Sequence, residues 1–126
     1  MKTARRAIFV TGTDTDVGKT AVSLVLGMLL QKKNISVGVM KPVQCAGRDV
    51  EFLKEKLQLA DDLKTINPYF AKEPLSPHIA FRRQRTKIDL AHIKECFNKL
   101  MACHDVVLVE GAGGLLAPID EEHTMA

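Results

Sequence analysis

A glycine-rich segment that ends in a lysine and a threonine carries the strongest chemical signal in this sequence. It occupies residues 12–20, GTDTDVGKT, with one residue more between its outer glycines than the common phosphate-binding loop has. Glycines let a polyphosphate approach converging backbone N–H groups, and a lysine neutralises its outer phosphates. The segment therefore predicts a variant phosphate-binding loop in which Lys19 contacts phosphates and Thr20 contacts Mg²⁺. A surface turn with an exposed lysine is the alternative.

Three charged residues follow other candidate structural elements. Glu110 ends an apolar run, a place from which an acid can reach a metal beside such a loop, although it could also be a solvated turn residue. Asp49 could bind the same metal or cap a helix. Lys41 follows a second apolar run and would add positive charge where phosphoryl transfer accumulates negative charge, or it is a surface lysine.

Two further side chains have weaker chemical signals. His78 lies between prolines and could be a ligand or base, but a lone histidine in a loop is more often structural. Cys45 has no neighbouring base in the sequence, which favours a polar or packing role over a nucleophile. The three cysteines, Cys45, Cys96 and Cys103, have no CxxC spacing, which indicates a reducing cytosol rather than zinc or a redox pair.

Three apolar runs predict buried parallel strands, at residues 7–10, 35–40 and 106–109. The first, apolar at consecutive positions, is expected to be a central strand buried on both faces. Periodic apolar residues predict three helices. Residues 19–32 have a stripe of Val22, Val25, Leu26, Leu29 and Leu30. Residues 49–59 have Val50, Leu53 and Leu57, and residues 90–103, capped by Asp89, have Ile93, Cys96, Phe97 and Leu100.

The stretch 67–85 has three prolines and no clean period, so it is expected to be an irregular connection packed by Tyr69, Phe70 and Ile79. The order of strands and helices predicts a doubly wound α/β fold, whose ligands bind at the carboxyl ends of the strands. The chain of 126 residues is long enough for one domain, residues 1–126.

The composition indicates a packed protein rather than a disordered one, with 46% hydrophobic and 26% charged residues. The net charge is +3, and one basic cluster at residues 82–85 without interleaved aromatics does not favour a nucleic-acid partner. The apolar run near the N-terminus is too short for a signal peptide or a membrane span, so neither export nor a membrane anchor is expected.

Taken together, five stretches resemble the dethiobiotin synthetase family: residues 9–20, 40–43, 67–69, 73–78 and 109–114. The extra residue in the glycine-rich loop is that family's own spacing, and the Lys41-Pro42 and Glu110-Gly111 pairs occur in the family's order. The resemblance runs along the whole chain. It implies a P-loop NTPase-like fold with a mainly parallel sheet and flanking helices.

The resemblance also implies a cytoplasmic homodimeric enzyme that uses ATP and Mg²⁺ to carboxylate 7,8-diaminopelargonic acid with CO₂ and to close the ring of dethiobiotin. It assigns catalysis to Lys41, Lys19 and Thr15, substrate contact to Lys41 and Cys45, and Mg²⁺ binding to Thr20, Asp49 and Glu110. The ATP contacts that it implies are Asp16, Val17, Gly18, Lys19, Thr20, Ala21, Asp49, Glu110, Gly111, Ala112 and Gly113.

Three departures from the family bear on these expectations. Cys45 stands where the family has a serine or threonine, and a thiol is a poorer hydrogen-bond donor. The loop before Asp49 is shorter than in many relatives. Family members also continue for roughly another half-domain, so the sequence is expected to be their N-terminal part. A nucleotide-binding module without catalysis and a related cobyrinate-type P-loop ligase are the alternative functions.

Overall fold

The computed structural model describes residues 4–13 and 18–126. The strands are β1 (Arg6–Val10), β2 (Val37–Met40), β3 (Val43–Cys45), β4 (Tyr69–Ala71) and β5 (Val106–Glu110). The helices are α1 (Lys19–Lys32), α2 (Asp49–Lys56), α3 (Leu63–Ile66), α4 (Pro77–Arg83) and α5 (Leu90–Cys103). The predicted α/β class, with parallel strands and flanking helices, is confirmed. Among helices of the described ranges, none is long and apolar enough to cross a membrane.

The main sheet is parallel and has the order β1-β5-β2. β5 lies in the middle, and four of its five residues are buried. The strand register pairs Val10 with Glu110 and Met40 with Val109. All three strands therefore end at one edge of the sheet, and side chains that follow them converge there.

Among the described strands, β1 lies at the edge of the main sheet, whereas the sequence predicted a central strand. β1 pairs with β5 on one side, and no described strand flanks its other side. Ile8 is 37% exposed and Phe9 is 46% exposed. An apolar run at consecutive positions shows that a strand can be buried on both faces, but it does not fix the place of that strand in the sheet.

Helix α1 has the predicted bounds but presents a different face to the core. Val22, Val25 and Leu29 are each more than half exposed, whereas the buried residues of α1 are Lys19, Ser23 and Gly27. A Cβ atom added to Gly27 would lie 2.8 Å from Leu57 Cδ1. The small residues thus let α1 approach α2 closely. Two residues of the predicted stripe, Leu26 and Leu30, do pack against the core.

The stretch 67–85 is more regular than expected. β3 and β4 form a separate parallel pair. α4 begins at Pro77. A proline is tolerated there because the first turn of a helix has no intrahelical partners for its N–H groups, so the missing N–H costs nothing. Phe70 and Ile79 are exposed, whereas Phe81 is buried and its ring meets the ring of Tyr69 edge-on at a centroid distance of 6.0 Å. Three-residue strands and a two-turn helix are too short to show a period.

α5 has the predicted bounds, and α2 begins at the predicted residue but ends at Lys56 rather than near residue 59. Val50, Leu53 and Leu57 are all buried in one cluster with residues of β2 and β5. The carboxylate of Asp89 accepts the backbone N–H of Ala91 at 2.9 Å and caps α5. Of the predicted α5 stripe, Cys96 and Leu100 are buried, and Ile93 and Phe97 pack partly against them.

His104, which follows α5, fixes the start of β2. Nδ1 of His104 lies 2.9 Å from Ser36 Oγ, and its Nε2 lies 2.8 Å from Asp61 Oδ2. A Cβ atom added to Gly38 would lie 2.5 Å from Cδ2 of His104. The imidazole therefore packs directly on the backbone of β2, and the position requires glycine.

Candidate functional site

A cavity of about 310 Å³ lies at the carboxyl edge of the main sheet. Parts of the chain that are far apart in sequence line it, including the start of α1 and the turn after β5. Its lining residues are Gly18, Lys19, Thr20, Ala21, Lys41, Asp49, Glu110 and Gly113. Each of these was predicted from the sequence to belong to one site, and the structure brings them together.

The described part of the glycine-rich loop is joined to the turn after β5. The N–H of Leu115 donates to the carbonyl of Gly12 at 3.0 Å, and Lys19 Nζ donates to the carbonyl of Gly113 at 2.8 Å. Gly18, immediately before α1, has a φ of 92°, a conformation that favours glycine. Residues 14–17 lie outside the described residues, so the roles predicted for Thr15, Asp16 and Val17 stay predictions.

Glu110 is the buried acid of the site, with 1% of its surface exposed. Its Oε1 accepts the hydroxyl of Thr20 at 2.7 Å and lies 3.4 Å from Lys41 Nζ. Its Oε2 is buried, and no residue that the structure describes donates a hydrogen bond to it. A buried carboxylate oxygen without a partner is costly, which indicates that a cation or another donor binds there.

Lys41 lies between two carboxylates. Its side chain is 6% exposed, and Nζ lies 2.5 Å from Asp49 Oδ2 and 3.4 Å from Glu110 Oε1. The N-cap residue of α2 is Arg48, and Asp49 is the first residue of the helix, so the capping alternative is wrong. Its charge in the first turn of α2 still interacts favourably with the helix dipole.

A buried glutamine that no sequence pattern marks holds Asp49 in position. Gln44 is 1% exposed, its Oε1 accepts the N–H of Val50 at 3.1 Å, and its Nε2 donates to the carbonyl of Gly47 at 3.1 Å. These bonds close the turn between β3 and α2. Gln44 is the middle residue of β3, a three-residue strand too short to show a pattern, so the sequence gives no signal for this role.

Cys45 is half-buried beside the site but does not line its cavity. Burial raises the pKa of the Cys45 thiol to about 11, and the nearby charge of Lys41 opposes part of this rise. The thiol is therefore protonated at neutral pH, which agrees with the expected polar or packing role.

Three other predicted residues do not line this cavity. Gly111 and Ala112 are buried, and the N–H of Gly111 donates to the carbonyl of Val10 at 3.0 Å. His78 lies outside it: its Nε2 is 2.8 Å from Arg82 Nη2, and it lines a separate cavity of about 930 Å³ between α4 and residues 119–123.

The donor set is suited to Mg²⁺. The described residues contain no group of three or more His, Cys, Asp or Glu side chains placed to hold a metal. Mg²⁺ keeps several waters and takes only one or two protein carboxylates, so it does not need such a group. The hydroxyl of Thr20 and Oε2 of Glu110 are oxygen donors of the kind that Mg²⁺ takes, whereas Asp49 is engaged by Lys41.

The parallel sheet and its carboxyl-edge cavity define an α/β domain of the P-loop NTPase-like class. A family model described as an AAA domain matches residues 6–126, and the chain belongs to that family.

Curated relatives of this chain are named ATP-dependent dethiobiotin synthetase. That of Methanococcus vannielii is 43% identical over 120 residues, which cover 94% of this chain and 57% of the relative. That of Nitrosopumilus maritimus is 41% identical, covering 94% and 55%. That of Methanocaldococcus jannaschii is 45% identical, covering 94% and 58%. The resemblance found in the motifs is confirmed, and the chain spans about half the length of these relatives.

Proposed function

We propose that this chain takes part in ATP- and Mg²⁺-dependent dethiobiotin synthesis from 7,8-diaminopelargonic acid and CO₂. One amine adds to CO₂ and loses a proton to give a carbamate. A carbamate oxygen then attacks the γ-phosphorus of ATP, forming a carbamic-phosphoric anhydride and releasing ADP. The second amine displaces phosphate and closes the cyclic urea. The observation that carries the proposal is the buried Lys41, held between Asp49 and Glu110 beside Lys19 and Thr20.

The start of α1 would bind the phosphates of ATP. Backbone N–H groups around Gly18 and Ala21 lie at a helix N-terminus, where unpaired amides and the helix dipole favour anions. Lys19 now donates to the carbonyl of Gly113, a neutral acceptor. A phosphate oxygen would be a stronger acceptor for this ammonium, because both partners would then be charged.

Thr20, Glu110 and Asp49 would hold Mg²⁺, which when bound neutralises charge on the outer phosphates. Glu110 could do so through Oε2 without giving up its bond to Thr20. Asp49 would have to leave Lys41 first. Binding of the cation would therefore release Lys41 from a carboxylate at the moment when anionic substrates arrive.

Lys41 would then act on the reacting groups. A buried ammonium at the same edge as Lys19 can stabilise the carbamate and the transferred phosphoryl group together, where negative charge develops. Cys45, as a neutral thiol close to Lys41, would contact the substrate as a weak donor. By resemblance, Thr15 would lie near the γ-phosphate, and Gly111, Ala112 and Gly113 would line the nucleotide and substrate cleft.

A turnover assay tests the proposal. The protein is incubated with ATP, Mg²⁺, bicarbonate and 7,8-diaminopelargonic acid, and dethiobiotin, ADP and phosphate are measured together. Equal amounts of the three products support the proposal. ATP binding without phosphate release would instead favour a nucleotide-binding module. ATP hydrolysis driven by another acid, with no dethiobiotin, would favour a cobyrinate-type ligase.

Two parts of the proposal concern the whole protein. By resemblance to dethiobiotin synthetase, it would be a homodimer in the cytoplasm and would have small-molecule partners only. Sedimentation equilibrium of the purified protein tests the dimer, and a monomer at all concentrations would contradict it.

A further inference from the structure

The backbone of Lys41 is held from both sides by the turn that leads into β4. Its N–H donates to the carbonyl of Ile66 at 2.8 Å. Its carbonyl accepts Nδ2 of Asn67 at 2.7 Å, and the same amide donates to the carbonyl of Tyr69 at 3.0 Å. The N–H of Tyr69 in turn donates to the carbonyl of Pro42 at 3.2 Å.

This turn is needed because the chain changes sheets at Lys41. β2 ends at Met40 in the main sheet, and β3 begins at Val43 in the smaller one. Between them the carbonyl of Lys41 has no partner in either strand ladder, and Pro42 has no N–H to donate. A side-chain amide carries two N–H groups, so Asn67 can satisfy two carbonyls at once.

The position of the Lys41 backbone decides where its ammonium lies. Nζ must stay within reach of both Asp49 and Glu110. Lys41 is only 5% exposed, so its side chain has little room to adjust. A shift of about 1 Å in a group that stabilises charge is enough to lower a rate substantially.

We propose that Asn67 is a positioning residue that holds Lys41 between Asp49 and Glu110. The structural part of this inference depends only on the contacts described. Its consequence for turnover rests on the function proposed above. Asn67 itself does not line the cavity and touches no reacting atom.

Amine labelling tests the structural part without any assay of activity. A lysine-specific reagent is added to the protein, and the labelling rate of each lysine is measured by mass spectrometry. In Asn67→Ala, labelling of Lys41 should rise by about threefold to tenfold, because the backbone carbonyl of Lys41 loses the hydrogen bond that fixes it and its ammonium pairs less tightly. Lys54, which donates to the carbonyls of Leu59 and Asp61, should be unchanged and serves as the internal reference.

Gln84→Ala is the matched control. The Gln84 amide also braces β4, donating to the carbonyl of Phe70 at 3.2 Å and accepting the N–H of Lys72 at 3.3 Å, but it makes no contact with Lys41. If Gln84→Ala raises the labelling of Lys41 as much as Asn67→Ala does, Asn67 merely stabilises β4 and the inference fails. Should Asn67→Ala not fold by circular dichroism, Asn67→Ser replaces it and is judged by the same comparison.

Turnover then tests the functional part. Asn67→Ala should lower kcat and leave the Kd for ATP nearly unchanged, and it should add no further loss in a Lys41→Gln background. Increased labelling with no turnover even in the unsubstituted protein would overturn the proposed function but not the placement of Lys41 by Asn67. Unchanged labelling of Lys41 in the Asn67 variants overturns the inference, whatever the turnover.

Discussion

The hydroxyl of Thr20 and the carboxylate of Glu110 lie 2.7 Å apart, although they are 90 positions apart in the sequence. Thr20 is in the first turn of α1, and Glu110 is the last residue of β5. The parallel register of β1 with β5 pairs Val10 with Glu110 and so fixes this distance. The site is therefore a direct product of strand order.

Glu110→Gln should weaken the Mg²⁺-dependent part of ATP binding. The substitution keeps the shape and a hydrogen-bond acceptor for Thr20 but removes the buried negative charge that would face the cation. The ratio of the ATP affinity with Mg²⁺ to that without it should be about 10- to 100-fold smaller in the variant than in the unsubstituted protein. Calorimetric titrations with and without Mg²⁺ measure this. Glu122→Gln, at an exposed acid, is the control, and an equal Mg²⁺ effect in all three proteins would exclude Glu110 as a ligand.

Lys41→Gln should strongly slow ring closure and leave nucleotide binding largely intact. A neutral amide cannot stabilise the carbamate and the transferred phosphoryl group, so kcat should fall by about 100-fold or more. The variant should also lose a few kcal/mol of unfolding free energy, because buried Glu110 loses its cation. Lys99→Gln, at an exposed pair with Glu95, is the control. A loss of ATP binding equal to the loss of turnover would count against the role assigned to Lys41.

Cys45 should resist alkylation at neutral pH. With a pKa of about 11, only about one Cys45 thiol in a thousand is ionised at pH 8, and the thiolate is the reactive form. Its iodoacetamide rate should rise about tenfold per pH unit up to pH 11, and Lys41→Gln should slow it further, since Lys41 favours the thiolate. Exposed Cys103 is the internal reference. Equal rates for both thiols at pH 8 would contradict this description of the site.

The raised pKa of Cys45 also predicts how the free energy of unfolding depends on pH. Because folding raises the pKa of Cys45 from 9.0 to about 11, the unfolded chain releases this proton first as the pH rises. The stabilisation is fully present below pH 9 and is lost between pH 9 and about 11. Urea unfolding across this range should show less loss in Cys45→Ala than in the unsubstituted protein.

Gly38→Ala should destabilise the fold through His104. The added methyl group would lie 2.5 Å from Cδ2 of the imidazole, whose two nitrogens are engaged by Ser36 and Asp61 and cannot move away cheaply. We expect a loss of about 1 to 3 kcal/mol in urea unfolding. In a His104→Ala background the same substitution should cost much less. An equal cost in both backgrounds would show that the ring is not the obstacle.

The elements with a long period or a terminal signal could be predicted from the sequence, and the short ones could not. α5 was found because Asp89 caps a full 14-residue helix, and β5 because four apolar residues precede Glu110. β4 and α4 were missed because three and seven residues cannot display a period. The buried face of α1 was missed because Ser23 and Gly27 owe their burial to small size, not to hydrophobicity.

The site could be predicted only as a set of residues at one edge. The positions of Lys19, Lys41 and Glu110 follow from the ends of their elements. The pairing of Lys41 with Asp49 does not, because it depends on how Gln44 closes the turn between β3 and α2. Hydrogen bonds between a side-chain amide and the backbone, such as those of Gln44, are not marked by any pattern in the sequence.

A crystal structure with Mg²⁺ and a non-hydrolysable ATP analogue tests the central claim most directly. We expect the triphosphate at the start of α1, with Lys19 Nζ moved from the carbonyl of Gly113 to a phosphate oxygen, and Mg²⁺ bound by Thr20 and by Oε2 of Glu110. A triphosphate bound elsewhere, for example in the cavity beside His78, or a Glu110 carboxylate turned away from the cation, would contradict it.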